Sequence, residues 1–355
     1  MDLEWLANQN MSNWTQFGIM EDRPDYEALP RRYHIYAILL YLMTASFTLI
    51  GNLIALVVLK NGKRTSRHLS KYLINLSCSD LLMATCIPFV YTNFMYGQWY
   101  FAPWLCPCMN AIQFYSVFVS VYTLVVIGID RYIAIKTPIR SKTIDHLTNL
   151  IIFIIWLVGL CVSFLIYLVH ETREIELRNE KIVVCAAILD KHEEMVSVTL
   201  MVCLIYLAPI SILAYVYGSM AVVIFKRDLR SNSASKMLKR QRRKVIKIMM
   251  VVVIVFILCW SPLQLYNVLT IYFPQKFRSF SSDAELTRYV VTYMAFHLLA
   301  MAHSFVNPIV YSFMSQSFRK EFVNLFCSKF KFRKIPSSVQ HGRSTSIRIT
   351  DSVKT

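Results

Sequence analysis

Residues Phe114–Ile129 read FYSVFVSVYTLVVIGI, with Cys106 ahead of them and Asp130-Arg131-Tyr132 closing them. No Asp, Glu, Lys, Arg or His interrupts the run. As an α-helix rising ~1.5 Å per residue, the 25 positions from Cys106 to Arg131 cover roughly 37 Å. A bilayer's hydrocarbon core is ~30 Å thick. One helix therefore sets a cysteine at one membrane face and an acid–arginine pair at the other. By itself that pair fits either an ordinary interfacial charge cluster or a working inner end.

The rest of the chain repeats the theme. Of its 355 residues 56% are hydrophobic and 17% charged, against about 25% charged in soluble domains. Mostly apolar stretches of twenty or more residues recur, which marks an integral membrane protein. The net charge of +17 would suggest nucleic acid if it gathered on one soluble face. It is divided among loops instead, so no nucleic-acid partner is expected. Nine cysteines form no CxxC pair or His-rich cluster, which argues against zinc. The amino end shows no basic stretch leading into an apolar leader, so insertion falls to the first span.

Residues 1–33 form a polar, net acidic tail with glycosylation triplets at Asn10 and Asn13. Seven spans follow at about 34–59, 71–95, 105–134, 147–169, 195–225, 244–273 and 287–313. Ser317–Cys327 alternates Phe318, Phe322, Leu325 and Phe326 with Arg319, Lys320 and Glu321, the pattern of an amphipathic helix on the membrane surface. Residues 34–327 thus make one bundle, and 328–355 a basic, Ser/Thr-rich cytoplasmic tail. The loops 60–71, 131–147 and 226–247, with the chain after 315, hold 28 of the 38 Lys and Arg. The tail 1–33 and the loops 170–196 and 274–288 hold 15 of the 21 acids. The Lys/Arg excess puts its side in the cytoplasm. The fold expected is all-α and membranous: a seven-transmembrane helix bundle with a short amphipathic eighth helix, amino end outside.

Ionisable and amide groups inside spans are costly and usually functional. Asp80 lies mid-span in the second helix, Asn52 in the first, and Asn307 near the inner end of the seventh. With Gly51-Asn52, Asp130-Arg131-Tyr132, Trp156, Pro209, Tyr217, Cys259-Trp260-Ser261-Pro262 and Asn307-Pro308-Ile309-Val310-Tyr311, they supply one signature per span, in order. The chain resembles a class A, rhodopsin-like, G-protein-coupled receptor over about residues 34–327.

That resemblance implies roles. Pro209, Pro262 and Pro308 each remove a backbone hydrogen bond and let a span pivot. Trp260 would be the lever beneath a ligand cavity, with Val121, Pro209 and Phe256 the layer that repacks. Arg131 would rest on Asp130 and be released to meet a heterotrimeric G protein, supported by Tyr217 and Tyr311. Cys106 would pair with Cys185, with Cys108 a competitor. Cys327 would carry palmitate. Asp80, Ser120 and Asn307 match the family's sodium pocket, and no other cofactor is expected. Two positions depart from the family. His303 stands where an Asn is common, which weighs against sodium. Arg242 stands where some members place an acid that latches the span-three arginine, which implies higher ligand-free signalling.

The ligand can be narrowed. Amine receptors carry a span-three aspartate where this chain has Gln113, and opsins need a span-seven lysine that residues 289–313 lack. Gln113, Asn267 and His297 are expected to face the outer cavity, and each can both donate and accept hydrogen bonds. A C-terminal carboxamide suits that set, as in receptors for neuropeptide Y, orexin and RFamide-type peptides. The acidic second outer loop, including Glu194, would steer a basic peptide. Ile182-Val183-Val184 predicts a hairpin strand above the cavity. Tyr91, Phe94, Tyr122 and Tyr266 offer aromatic contacts or simple packing. The reading is a non-enzymatic plasma-membrane neuropeptide receptor coupled through Gq or Gi, with arrestin, a receptor kinase and membrane lipids as further partners. A class A receptor for a lipid or other small molecule is the first rival. A seven-span transporter is the second, though the spans show no internal repeat.

Overall fold

An apolar segment in lipid must satisfy its backbone internally, and a helix does this without a neighbour. The computed structural model of the chain describes residues 31–62, 67–136, 147–177, 180–230, 236–277, 282–314 and 316–327. Among them seven helices are long and apolar enough to cross a membrane. The first four are α1 (Arg31–Asn61), α2 (Arg67–Tyr96), α3 (Leu105–Lys136) and α4 (Thr148–Val169). Helix α5 begins as Lys191–Val202, loosens into a π-helical turn over Cys203–Leu207 and resumes as Ala208–Arg230. The bundle closes with α6 (Lys236–Tyr272) and α7 (Asp283–Met314). Helix α6 starts several residues before the expected span, because Lys and Arg are good helix formers and continue the turn beyond the apolar stretch.

Helix α3 is the axis of the bundle. Its buried residues run from Cys106 to Ile135, whereas α4 shows Phe153, Leu157, Leu160 and Phe164 to the lipid. The α3–α4 contact depends on Gly159, where an added Cβ would stand 2.9 Å from Phe118 and 3.0 Å from Tyr115. Pro262 and Pro308 lie inside α6 and α7, and Pro209 lies two residues past the end of the π turn of α5. That turn absorbs the missing backbone donor without breaking the span.

Above the bundle, β1 (His170–Leu177) and β2 (Glu180–Ala187) form an antiparallel hairpin that places Cys185 opposite Thr172. A Cys106–Cys185 disulfide staples β2 to the start of α3, and the Val183 carbonyl accepts from the Trp99 backbone N–H at 2.7 Å. Cys108 is a free thiol. At the other end, α8 (Gln316–Phe322) continues in a π turn over Val323–Cys327. Its Phe318 does more than rest on lipid: it is buried in the inner core with Tyr72, Leu76 and Val310, and Phe322 and Leu325 pack against that cluster. Asn10, Asn13 and the tail 328–355 lie outside the described residues.

Candidate functional site

The expected site residues fall at three depths. In the outer third, α3 and α7 bring Gln113 and His297 together: Gln113 Nε2 lies 3.1 Å from His297 Nε2. The two do not line one wall equally. His297 is 3% exposed, while Gln113 is half-buried above it. Behind His297, its Nδ1 lies 3.1 Å from the Tyr41 hydroxyl of α1, which also reaches the Met294 carbonyl at 3.2 Å. Tyr41 and Tyr293 stack on the imidazole, with ring centroids 6.0 and 6.1 Å away, and Phe94 stands nearby. Tyr91 packs on Tyr41 at 5.2 Å, and its buried hydroxyl has no hydrogen-bond partner among the described residues.

Asn267 is not drawn into this cluster. It is half-buried on α6 and its side chain bonds to neither Gln113 nor His297. Glu194 sits in the first turn of α5, just past a capping box in which Asp190 and Glu193 exchange backbone hydrogen bonds. Carboxylates there suit the positive end of the helix dipole, which accounts for part of the loop's acidity without a ligand. His170, at the root of the hairpin, is pushed below its ordinary range by burial, so it adds no cation to this rim near neutral pH.

The middle layer holds Trp260, Phe256, Val121 and Ile205 in one apolar cluster, with Tyr206 and Ile210 packed against it. Trp260 is buried 6.2 Å from Phe256, and its indole N–H has no hydrogen-bond partner among the described residues. Pro209 is buried on α5. A hydrogen bond joins the Tyr206 hydroxyl, on the π turn, to Ser261 beside the α6 proline. Just inward, Asp80 accepts from Ser120 at 3.2 Å and from Asn307 at 2.9 Å. Asn307 thus turns its amide nitrogen, not its oxygen, to the carboxylate. His303 stacks edge-on against Phe256 at 5.4 Å, and its buried Nε2 has no hydrogen-bond partner among the described residues. A hard cation such as sodium prefers an oxygen shell. Asp80 and Ser120 offer oxygen, but the amide nitrogen and the imidazole do not. The cluster fits a hydrogen-bonded hub better than an ion.

At the inner end Arg131 donates to Asp130, its chain neighbour. The same guanidinium also donates to His68 Nε2 of α2 at 3.0 Å. His68 was not singled out in the sequence, where it is one more polar residue in a basic loop. Tyr217 is buried on α5, with its hydroxyl near the α3 backbone at Gly128. Tyr311 and Arg242 lie on α7 and α6 with their side chains outside the described residues, as does Cys327 at the end of the π turn after α8.

Among the described residues no cluster of His, Cys, Asp and Glu is able to hold a metal ion.

Residues 51–311 match the family described as 7 transmembrane receptor (rhodopsin family). The RYamide receptor of Tribolium castaneum is 30% identical over 316 residues, covering 83% of this chain and 80% of the relative. The allatostatin-A receptor of Bombyx mori is 30% identical over 280 residues, covering 77% and 74%. The human neuromedin-K receptor is 27% identical over 294 residues, covering 81% of this chain and 61% of the relative.

Proposed function

The chain belongs to the rhodopsin family of seven-transmembrane receptors, and from that premise we propose that it is a receptor for a C-terminally amidated neuropeptide. It sits in the plasma membrane with its amino end outside and couples to a heterotrimeric G protein of the Gq or Gi class. The observation that carries the ligand reading is the Gln113–His297 pair, a neutral donor–acceptor floor with no carboxylate in the outer half of α3. Such a floor pairs with a terminal amide and leaves an ammonium ligand without a counter-charge. Relatives named as receptors for RYamide, allatostatin-A and neuromedin-K support a peptide in this cavity.

In this mechanism the peptide's C-terminus descends past the hairpin and meets Gln113, with the acidic loop drawing in basic residues before contact. Contacts made only when α6 is displaced shift the population toward the open form. Trp260 then moves against Phe256, α6 swings about Pro262, and Arg131 leaves Asp130 and His68 to meet the G protein. The basic segment 226–247 lines the opened cleft and also meets anionic lipid. Ser337, Ser338, Ser344, Thr345 and Ser346 serve as receptor-kinase sites for arrestin, and a palmitate on Cys327 anchors the end of α8.

The test is a calcium and cyclic-nucleotide screen of receptor-expressing cells against amidated peptides and their free-acid twins. A potent amidated agonist, weakened by Gln113→Ala, is the expected result. Silence toward every peptide, with surface expression verified, would move the assignment to a lipid or other small-molecule ligand.

A further inference from the structure

The hydrogen bonds behind Gln113 have a direction. An amide nitrogen only donates, so the His297 Nε2 that faces Gln113 Nε2 at 3.1 Å must be the bare nitrogen of the ring. The imidazole proton is then on Nδ1, which donates to the Tyr41 oxygen at 3.1 Å. That leaves the Tyr41 hydroxyl proton for the Met294 carbonyl at 3.2 Å, an atom that can only accept. Every donor in the line Gln113 to His297 to Tyr41 to Met294 has an acceptor, and every bond points from the cavity into the bundle. An imidazolium at His297 would set N–H against N–H, so the ring is neutral in this arrangement.

The direction decides what Gln113 shows a ligand. One N–H of its carboxamide is committed inward, which leaves the carbonyl oxygen Oε1 and the second N–H for the cavity. Oε1 takes no hydrogen bond within the described residues. A ligand carboxamide can give an N–H to Oε1 and accept from the second N–H, a two-point pairing of amides. A carboxylate has no proton to give, so it would set oxygen against Oε1. Pairing sites of this kind reject the mismatched group because a polar atom is left unsatisfied.

Resting on the reading of Gln113 as the ligand contact, we infer that Tyr41 of α1 is a specificity-determining positioning residue: by holding the His297 proton on Nδ1 it makes the receptor prefer a C-terminal amide over a free acid. Tyr41 is 4% exposed, so it acts through His297 and not by touching the peptide. Without its hydroxyl, Nδ1 loses its acceptor and the proton is free to move to Nε2. Gln113 then turns its oxygen inward to accept from Nε2–H. Its NH2 faces the cavity, and a carboxylate becomes acceptable.

Tyr41→Phe tests this, since it removes one oxygen and keeps the ring that packs on Tyr91 and His297. The probes are a synthetic peptide ending in Arg-Tyr-carboxamide and its free-acid twin, assayed on the full-length receptor in cells. The wild type is expected to favour the amide, and the amide-to-acid potency ratio is expected to fall by at least about tenfold in Tyr41→Phe. A variant that merely misfolds would be missing from the cell surface and answer neither peptide, so it yields no ratio, and the wild-type nitrogen-15 spectrum then decides. Nitrogen-15 spectra of histidine-labelled receptor, with His297 assigned by its loss in His297→Asn, are expected to show a bare Nε2 and a protonated Nδ1. A protonated Nε2 in the wild type, or an unchanged ratio in Tyr41→Phe, would overturn the proposal. A wild type that answers neither peptide, or both equally, would remove the amide reading and this specificity with it. The spectrum would still report where the proton sits, which separates that outcome from a reversed relay.

Discussion

The two ends of α3 hold their polar residues in different ways. At the outer end Gln113 leads into an unbroken line of hydrogen bonds through His297 and Tyr41 to a backbone carbonyl, under a hairpin stapled by Cys106–Cys185. At the inner end Arg131 has its own neighbour Asp130 and one bond across to His68. In the outer arrangement each bond of the line fixes the next, and only Oε1 and the second N–H of Gln113 are left for the cavity. The inner one is a charge held by few contacts at the membrane edge, where water can replace them. Recognition needs the first property, because a pre-set donor–acceptor face discriminates between ligands. Switching needs the second, because an element that must move has to come from the weakly held part of the structure.

The contrast breaks most completely if the outer end loses its staple. Cys185→Ala is expected to cost about 2–4 kcal/mol in folded-state stability, read as a large loss of surface expression and of peptide binding. Gln113→Ala is next. It is expected to raise the EC50 of an amidated agonist about thirtyfold, the value of roughly 2 kcal/mol in hydrogen bonds. Ligand-free signalling should stay unchanged, and a change there would mean that the two ends are not separable. Third, His68→Leu is expected to raise ligand-free signalling several-fold, for the loss of about 1 kcal/mol that holds Arg131 to α2. His68→Gln, which keeps an acceptor, should lie closer to the wild type. If both variants signal at the wild-type basal level, Asp130 alone holds the arginine. The smallest effect is expected at mid-depth. Tyr206→Phe removes the bond to Ser261, worth about 0.5–1 kcal/mol, and should shift agonist potency only about two- to fivefold. A much larger shift would make that bond a latch in its own right.

These residues divide by how legible they were. The Asp130-Arg131 pair could be read at the inner end of a span because an apolar run and its charged terminus are both local in sequence. The disulfide partner of Cys106 came from resemblance, not from spacing. His297 was expected to face the cavity, whereas the structure sets it beneath Gln113. Asn267 was grouped with both, yet it makes no bond to either. Phe318 read as a lipid-facing residue of a surface helix and is instead part of the inner core. Tyr41 and His68 carried no signal: each is a common residue type in an expected place. Their roles arise from partners 256 and 63 positions away.

Sequence alone determined that seven helices are long and apolar enough to cross a membrane, and which of them carry an interior proline. Those properties follow from chain-local quantities: apolar length against bilayer thickness, and the backbone donor that a proline lacks. Tertiary structure decided which polar atoms meet. That depends on each helix's rotation and depth, set by close approaches such as Gly159 on Phe118 and by the burial of side chains from several helices at once. A shift of one residue turns a helix by about 100 degrees, enough to carry Tyr41 from His297 to the lipid. The direction of the hydrogen bonds behind Gln113 is therefore a property of the assembled bundle, and of no single span.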